Sequence, residues 1–268
     1  MAVVNCERPI ISFLSDFGLQ DNYVGIVKGV IAKINPRAEV IDLTHDVPPY
    51  NIRAGKYLLE TAYESFPAGT IHLAVVDPGV GMKRKGIIIE TGKYFFVGPD
   101  NGLFSFLAKT QIKRVYSLNR ESESAIEISN TFHARDIFGP AAAYLSLGGP
   151  IKGASVVGKR IIRLQGKAIK GAKGIIAGRV IYIDHFGNLV TSLRQDRLPH
   201  EGMVFLNDIL IGPVKKTFGS VGPGKPVCYV NSFGYLEIAV REGSAAAYFA
   251  IRDRSAAKIL IAPRVRAR

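Results

Sequence analysis

The 268-residue sequence predicts an α/β N-terminal domain with a mostly parallel central sheet, followed by a small all-β barrel as the C-terminal domain. Three observations carry that expectation. From residue 10 to residue 76, short apolar runs rich in β-branched residues alternate with helical-period stretches, the pattern of parallel strands joined by helical crossovers. From residue 174 onward the apolar runs are short, lack a helical period and are separated by turn residues, as in small antiparallel barrels. Between the two, residues 150–173 mix Gly, Lys and short apolar pieces and read as a linker, which sets the domains at 1–165 and 174–268.

The elements follow in order. Residues 10–14 form an apolar strand that runs into Ser15-Asp16-Phe17-Gly18, a strand-end carboxylate followed by Gly. Val24, Val27, Val30, Ile31 and Ile34 recur at helical spacing until Asn35-Pro36 stops the helix. Residues 39–43 are a strand, with Thr44-His45-Asp46 at its end. Residues 52–65 read as a helix closed by Phe66-Pro67-Ala68-Gly69. The run 71–76 is a buried strand, short and bounded by turn residues, and it ends in Asp77-Pro78-Gly79-Val80-Gly81. Residues 86–90 and 94–97 flank Thr91-Gly92-Lys93 as a hairpin, and Asp100-Asn101-Gly102 reads as a turn. A helix is expected from about Ile137 to Leu147, ended by Gly148-Gly149-Pro150, with His133 just before it and Asp136 in its first turn. In the second half, strands are expected at 174–183, 189–192, 203–206, 209–214, 227–230, 236–240 and 259–261. Asp184-His185-Phe186-Gly187-Asn188 and Asn231-Ser232-Phe233-Gly234-Tyr235 stand at strand ends among them.

Composition narrows the function classes. The chain is 47% hydrophobic and 21% charged, as in soluble globular proteins. No apolar run reaches the ~20 residues of a membrane helix, and the first residues lack the basic-then-apolar layout of a secretory signal. Cys6 and Cys228 form neither a disulfide framework nor a zinc pattern. A cytoplasmic protein is therefore expected. The net charge of +13 suggests a polyanion partner, but Lys and Arg are dispersed apart from Arg264, Arg266 and Arg268. With no RNA-binding aromatic signature, nucleic acid is not expected as the main partner.

Ligands of open α/β sheets sit beyond the carboxyl ends of the strands, which is where Asp77 stands, with Arg84 seven residues on and able to return to it. Taken singly, these residues also have ordinary readings. Asp77 and Asp16 read as turn caps, His133 as an interior histidine, and Arg84 as a surface charge beside Lys83 and Lys85. Phe186 and Phe233 read equally as core aromatics. A metal site of His72, Asp77, His133 and Asp136 lacks ligand spacing, so no metal is expected.

Together the motifs resemble one family. They are S-D-F-G at 15–18, D-L-T-H at 42–45, V-D-P-G-V-G at 76–81, G-P-D-N-G at 98–102, T-F-H-A-R-D at 131–136 and D-H-F-G-N at 184–188. This set and its order are similar to the S-adenosylmethionine hydroxide adenosyltransferases, adenosine-forming hydrolases related to fluorinase and chlorinase. The resemblance implies hydrolysis of S-adenosyl-L-methionine to adenosine and L-methionine by water attack at C5′, with the molecule as substrate and no cofactor. It implies a homotrimer whose sites lie between the N-terminal domain of one subunit and the C-terminal domain of the next. Carried over by motif, Asp77, Arg84 and His133 hold the water. Asp16 holds the ribose hydroxyls, and Phe132, Asp184, Phe186, Asn188 and Ser232 bind the rest of the substrate, with Glu242 marking a loosely placed adenine segment. Ala134 stands where the family motif is expected to carry Gly.

The residues suit that chemistry. A sulfonium leaves as a neutral thioether, so the need is for an oriented nucleophile and a dry pocket rather than a general acid. Asp77 and His133 are both candidates to take the water's proton. A carboxylate beside the nucleophile opposes halide binding, by ~4 kcal/mol at ~4 Å with an effective dielectric near ~20. A non-catalytic S-adenosylmethionine- or adenosine-binding protein is the alternative expectation.

Overall fold

The computed structural model describes residues 8–118, 128–148, 154–164, 169–170, 175–199, 201–251 and 257–263. Cys6, Gly149-Pro150 and the basic tail at Arg264, Arg266 and Arg268 lie outside the described residues. The chain divides into two units, Met1–Leu164 and Gln165–Arg268.

In the first unit, β1 (Ile10–Ser15) is buried along nearly its whole length and pairs in parallel with β2 (Glu39–Thr44) and β3 (Ile71–Val75). β1 and β3 are buried on both faces and are therefore mostly apolar, whereas β2, at the sheet edge, is only partly buried and carries Glu39 and Asp42. The first crossover, α1 (Tyr23–Ile34), buries Val24, Val27 and Ile31. The second, α2 (Ile52–Ala62), starts at Asn51, whose side chain accepts from Ala54 N at 3.0 Å. Its Gly55 sits so close to Val76 that a Cβ there would stand 2.9 Å from the Val76 side chain.

The sheet then departs from the expected parallel order. The strands β4 (Gly86–Thr91), β5 (Phe95–Pro99), β6 (Ile112–Leu118) and β7 (Ala154–Gly158) complete a seven-stranded sheet in the order β2-β1-β3-β5-β4-β6-β7. β5 joins β3 in parallel, while β4, β6 and β7 pair antiparallel. The sheet is mixed, parallel at its start, because β4 and β5 are joined by a short hairpin, and a parallel pair needs a crossover of a dozen residues or more. β6 and β7 were not foreseen. β7 falls in the stretch expected as linker and forms the sheet edge, with Val156 and Val157 exposed.

The expected helix at 137–147 begins earlier and differently. Residues Ala134–Phe138 make a widened π turn, in which Gly139 N bonds to the Ala134 carbonyl, and α3 (Gly139–Ser146) follows. Pro140 follows as the second residue of α3, where a missing N–H is tolerated, and the bond five residues back is made by Gly139 before it. Ile11, Phe13, Val27, Leu73, Ala134, Phe138 and Ala142 are among the buried residues of the core shared by these helices and the sheet.

The ladders between named strands of the second unit are all antiparallel. β8 (Ile169–Lys170), β9 (Ile176–Ile183), β10 (Leu189–Arg194), β11 (Gly202–Leu206), β12 (Ile209–Pro213), β13 (Pro226–Val230), β14 (Tyr235–Val240) and β15 (Lys258–Pro263) form one eight-stranded sheet. Its main path runs β12-β11-β15-β9-β10-β14-β13, with β8 on β9. It nearly closes on itself, since Lys215, just past β12, bridges to Tyr229 of β13 and its N–H donates to the Cys228 carbonyl at 2.8 Å. Leu189, Leu193, Val204, Leu206, Ile238 and Ile259 fill the interior. A one-turn helix, α4 (Ala245–Tyr248), is capped by Ser244, whose hydroxyl accepts from Ala247 N at 3.1 Å.

Candidate active site

The loop between β3 and β4 folds back through two successive turns, Val80 N to the Asp77 carbonyl at 3.2 Å and Met82 N to the Gly79 carbonyl at 3.1 Å. Those turns return Arg84 to Asp77. Arg84 Nε lies 2.9 Å from both Asp77 oxygens, and Nη2 also donates to Oδ2. The side chains are 10% and 6% exposed, so this is a dry, two-pronged ion pair. Two glycines make the loop possible. A Cβ on Gly79 would crowd Arg84 Cγ at 3.3 Å, and Gly81 has φ +77 and lies where a Cβ would stand 2.5 Å from the Asn130 carbonyl.

That approach of residue 130 brings in His133. It is 1% exposed, and Arg84 Nη2 stands 2.5 Å from its Nδ1. A guanidinium only donates, so Nδ1 accepts, and the partner assigns the ring proton to Nε2. The segment is tied down from Asp136, whose Oδ2 accepts from Ser129 N at 2.9 Å and which pairs with Arg135 Nε at 2.6 Å. The Arg84 guanidinium also lies 5.2 Å from the Phe138 ring centroid in the π turn. Asp77, Arg84 and His133 therefore converge, and the surface-charge reading of Arg84 does not hold.

Asp16 joins them. Ser15 pairs with Val75 in the parallel register, so Asp16 leaves the sheet beside the residue that precedes Asp77. Asp16 Oδ2 accepts from Tyr50 N at 2.8 Å, with Tyr50 held at φ 64. Burial raises the Asp16 carboxyl above its usual range, and the negative charge of Asp77 pushes the same way. Phe132 packs beside this end of the sheet, its ring centroid 6.2 Å from Phe17 and 5.4 Å from Tyr23. Ala134, by contrast, puts its methyl into the buried core. His72 takes no part, since its Nδ1 bonds Ser12 Oγ at 2.7 Å and its ring lies among Tyr63, Phe66, Tyr94 and Phe96.

In the second unit, the β9–β10 turn is locked by its own side chains. Asp184 Oδ1 accepts from Asn188 N at 2.8 Å and Oδ2 from Asn188 Nδ2 at 2.9 Å. Phe186 projects from that turn, 73% exposed, and is not a core aromatic. Gly187 touches Ser244, where any Cβ would meet Oγ at 2.0 Å, and the Gly187 carbonyl accepts from Ala246 N at 2.9 Å. Glu242, at φ 56, pairs with Arg241 at 3.3 Å just before Ser244. Asp184, Phe186, Asn188 and Glu242 thus gather at one end of the strands. Ser232 does not join them. Leu189 pairs with Ile238 and Arg194 with Tyr235, so the Ser232 turn lies at the far end of β14. There Asn231 accepts from Phe233 N and Tyr235 N at 3.0 Å each, and buried Glu237 accepts from Asn231 Nδ2 at 2.9 Å. Sequence reasoning read Asn101 as part of a turn and Asn231 as part of a strand-end cluster but gave neither, nor Glu237, the side-chain bonds that hold these turns.

Both halves of the chain have counterparts among known proteins. Residues 11–155 match the family model of the SAM hydroxide adenosyltransferase N-terminal domain, and residues 178–257 match that of its C-terminal domain. The chain is similar to (R)-S-adenosyl-L-methionine hydrolase of Thermus thermophilus, 38% identical over 94% of this chain and 100% of that one. A fluorinase of Actinopolyspora mzabensis is a more distant relative, 27% identical over 94% of this chain and 97% of that one. The crystal structure of a conserved protein from Thermotoga maritima is similar at a TM-score of 0.81 and 34% identity, covering 94% of this chain and 99% of that one. With both halves matched in order, the chain belongs to the SAM hydroxide adenosyltransferase family.

Proposed function

We propose that the chain hydrolyses S-adenosyl-L-methionine to adenosine and L-methionine, with Asp77, Arg84 and His133 holding the attacking water. The observation that carries the reading is the convergence of these three side chains in a buried cluster at the end of β3. The Thermus relative, a hydrolase by name, supports the choice of reaction.

The step balances without a general acid. The water oxygen forms a bond to C5′, the C5′–S bond breaks, and its electron pair neutralises the sulfonium as a thioether. One proton leaves the water. His133 Nδ1 accepts from Arg84, which leaves the ring proton on Nε2 and makes that nitrogen a donor rather than a base. Asp77 is the remaining acceptor. Arg84 shares its one Nε–H between the two oxygens and donates through Nη2 to Oδ2, which leaves acceptor capacity toward the nucleophile. Asp77 therefore takes the proton, and Arg84 fixes its direction. The chemistry calls for no redox group or metal, because the substrate carries its own leaving group.

Asp16 accepts from the two ribose hydroxyls, and Phe132 lends an apolar wall. The second unit supplies Asp184, Phe186, Asn188, Glu242 and, from the other end of β14, Ser232, each to the site of a neighbouring subunit in a homotrimer. Composition supports a cytoplasmic enzyme acting on a small molecule. The test is incubation of the purified protein with S-adenosyl-L-methionine, following adenosine by chromatography beside light scattering. Adenosine formed by wild type and lost in Asp77→Ala is the expected result. Binding without turnover would make the protein a sensor or buffer instead, and a monomer would remove the shared site.

A further inference from the structure

The loop that carries Asp77 and Arg84 is pinned at both ends by two consecutive residues of one turn. Asn101 Nδ2 donates to the Val76 carbonyl at 2.8 Å, in the peptide unit that leads directly into Asp77. Asp100 N donates to the Lys85 carbonyl at 2.9 Å, directly after Arg84. The turn is itself anchored, with Asn101 Oδ1 accepting from Leu103 N at 3.2 Å and Asp100 Oδ1 accepting from Ile162 N at 2.8 Å.

We propose that Asn101 is a positioning residue for the Asp77–Arg84 pair. The peptide between Val76 and Asp77 is planar, so a bond to its carbonyl also fixes the direction in which the Asp77 chain leaves the strand. Val76 is fully buried and lies past the last pair of the β3–β5 ladder, so its carbonyl draws its partner from this amide. Only an amide does both jobs at this reach, accepting on one side and donating on the other. Asp100 N closes the far end of the same loop, so Asp77 and Arg84 are set by one rigid turn rather than by the loop alone. The inference rests on the catalytic reading of Asp77 given above.

The test uses Asn101→Asp, which keeps the acceptor for Leu103 N and replaces the donor to Val76 with an anionic oxygen that its carbonyl repels. Its hydrolysis of S-adenosyl-L-methionine is measured beside wild type and Asp77→Asn, at a temperature where circular dichroism shows all three folded. The expected result is a kcat lower by roughly ten- to a hundred-fold, the size a small misplacement produces, with KM within about two-fold of wild type. A purely structural role would lower the melting midpoint without splitting kcat from KM. Wild-type kcat in Asn101→Asp with Asp77→Asn inactive would overturn this inference alone. Wild-type kcat in both would overturn the catalytic reading as well. An Asn101→Asp chain that folds at no temperature would also overturn the inference, since it would put the work of Asn101 in the fold.

Discussion

Arg84 donates through Nη2 to His133 Nδ1 across 2.5 Å, in a cluster where His133 is 1% exposed. The contact fixes the tautomer of the ring, because the arginine has no lone pair to offer. His133→Asn puts an amide oxygen near the place of Nδ1 and removes Nε2. Arg84 keeps an acceptor and the cluster stays assembled, while the donor to the water is lost. The expected result is a melting midpoint near that of wild type and a kcat lower by ~10²-fold or more, read from adenosine release. Unchanged turnover would take His133 out of the reaction.

The second relationship is between Gly81 and the Asn130 carbonyl. Gly81 has φ +77, and a Cβ there would stand 2.5 Å from that oxygen. Gly81→Ala therefore meets a backbone cost of roughly 1–2 kcal/mol and a contact that only movement of the loop or of the 130–133 segment relieves. Both routes separate Arg84 from His133. Turnover is expected to fall along with the denaturation midpoint, and a variant with wild-type values of both would show that the two segments are not in register.

His72 makes a prediction about stability rather than activity. Burial among aromatic rings lowers its pKa from 6.5 to about 3. In the unfolded chain the ring binds a proton below about 6.5, whereas in the native protein it stays neutral down to about 3. The unfolded state thus binds more protons across that window, and stability falls as the pH falls, by up to ~1.4 kcal/mol per pH unit. The slope is expected in urea denaturation between pH 6 and pH 4 (about 1.4 kcal/mol at each unit from this one group) and to flatten in His72→Phe. Parallel slopes in the two proteins would contradict the buried neutral histidine.

Much of the first unit was legible because β1 and β3 are buried on both faces and read as short, mostly apolar runs. β6 was missed because Lys113 and Arg114 interrupt its run on the exposed side, and β7 because an edge strand with outward valines resembles a linker. The mixed sheet follows from pairings between strands distant in the chain, which local pattern does not specify. The π turn at 134–138 is a local widening that a helical period does not mark. For the site, strand-end position and the order of the motifs singled out Asp77, Arg84, Asp16 and His133. The bond of Asn101 to the Val76 carbonyl, and the separation of Ser232 from Asn188 along β14, are matters of register that residue types alone do not carry.

The central claim is that one water, held by Asp77, Arg84 and His133, becomes the 5′ hydroxyl of adenosine. Hydrolysis of S-adenosyl-L-methionine in ¹⁸O-labelled water, with mass spectrometry of both products, tests it most directly. The account predicts one heavy oxygen in adenosine, none added to methionine, and loss of the labelled product in Asp77→Asn. Label appearing in methionine, or labelled adenosine made at the wild-type rate by Asp77→Asn, would contradict it.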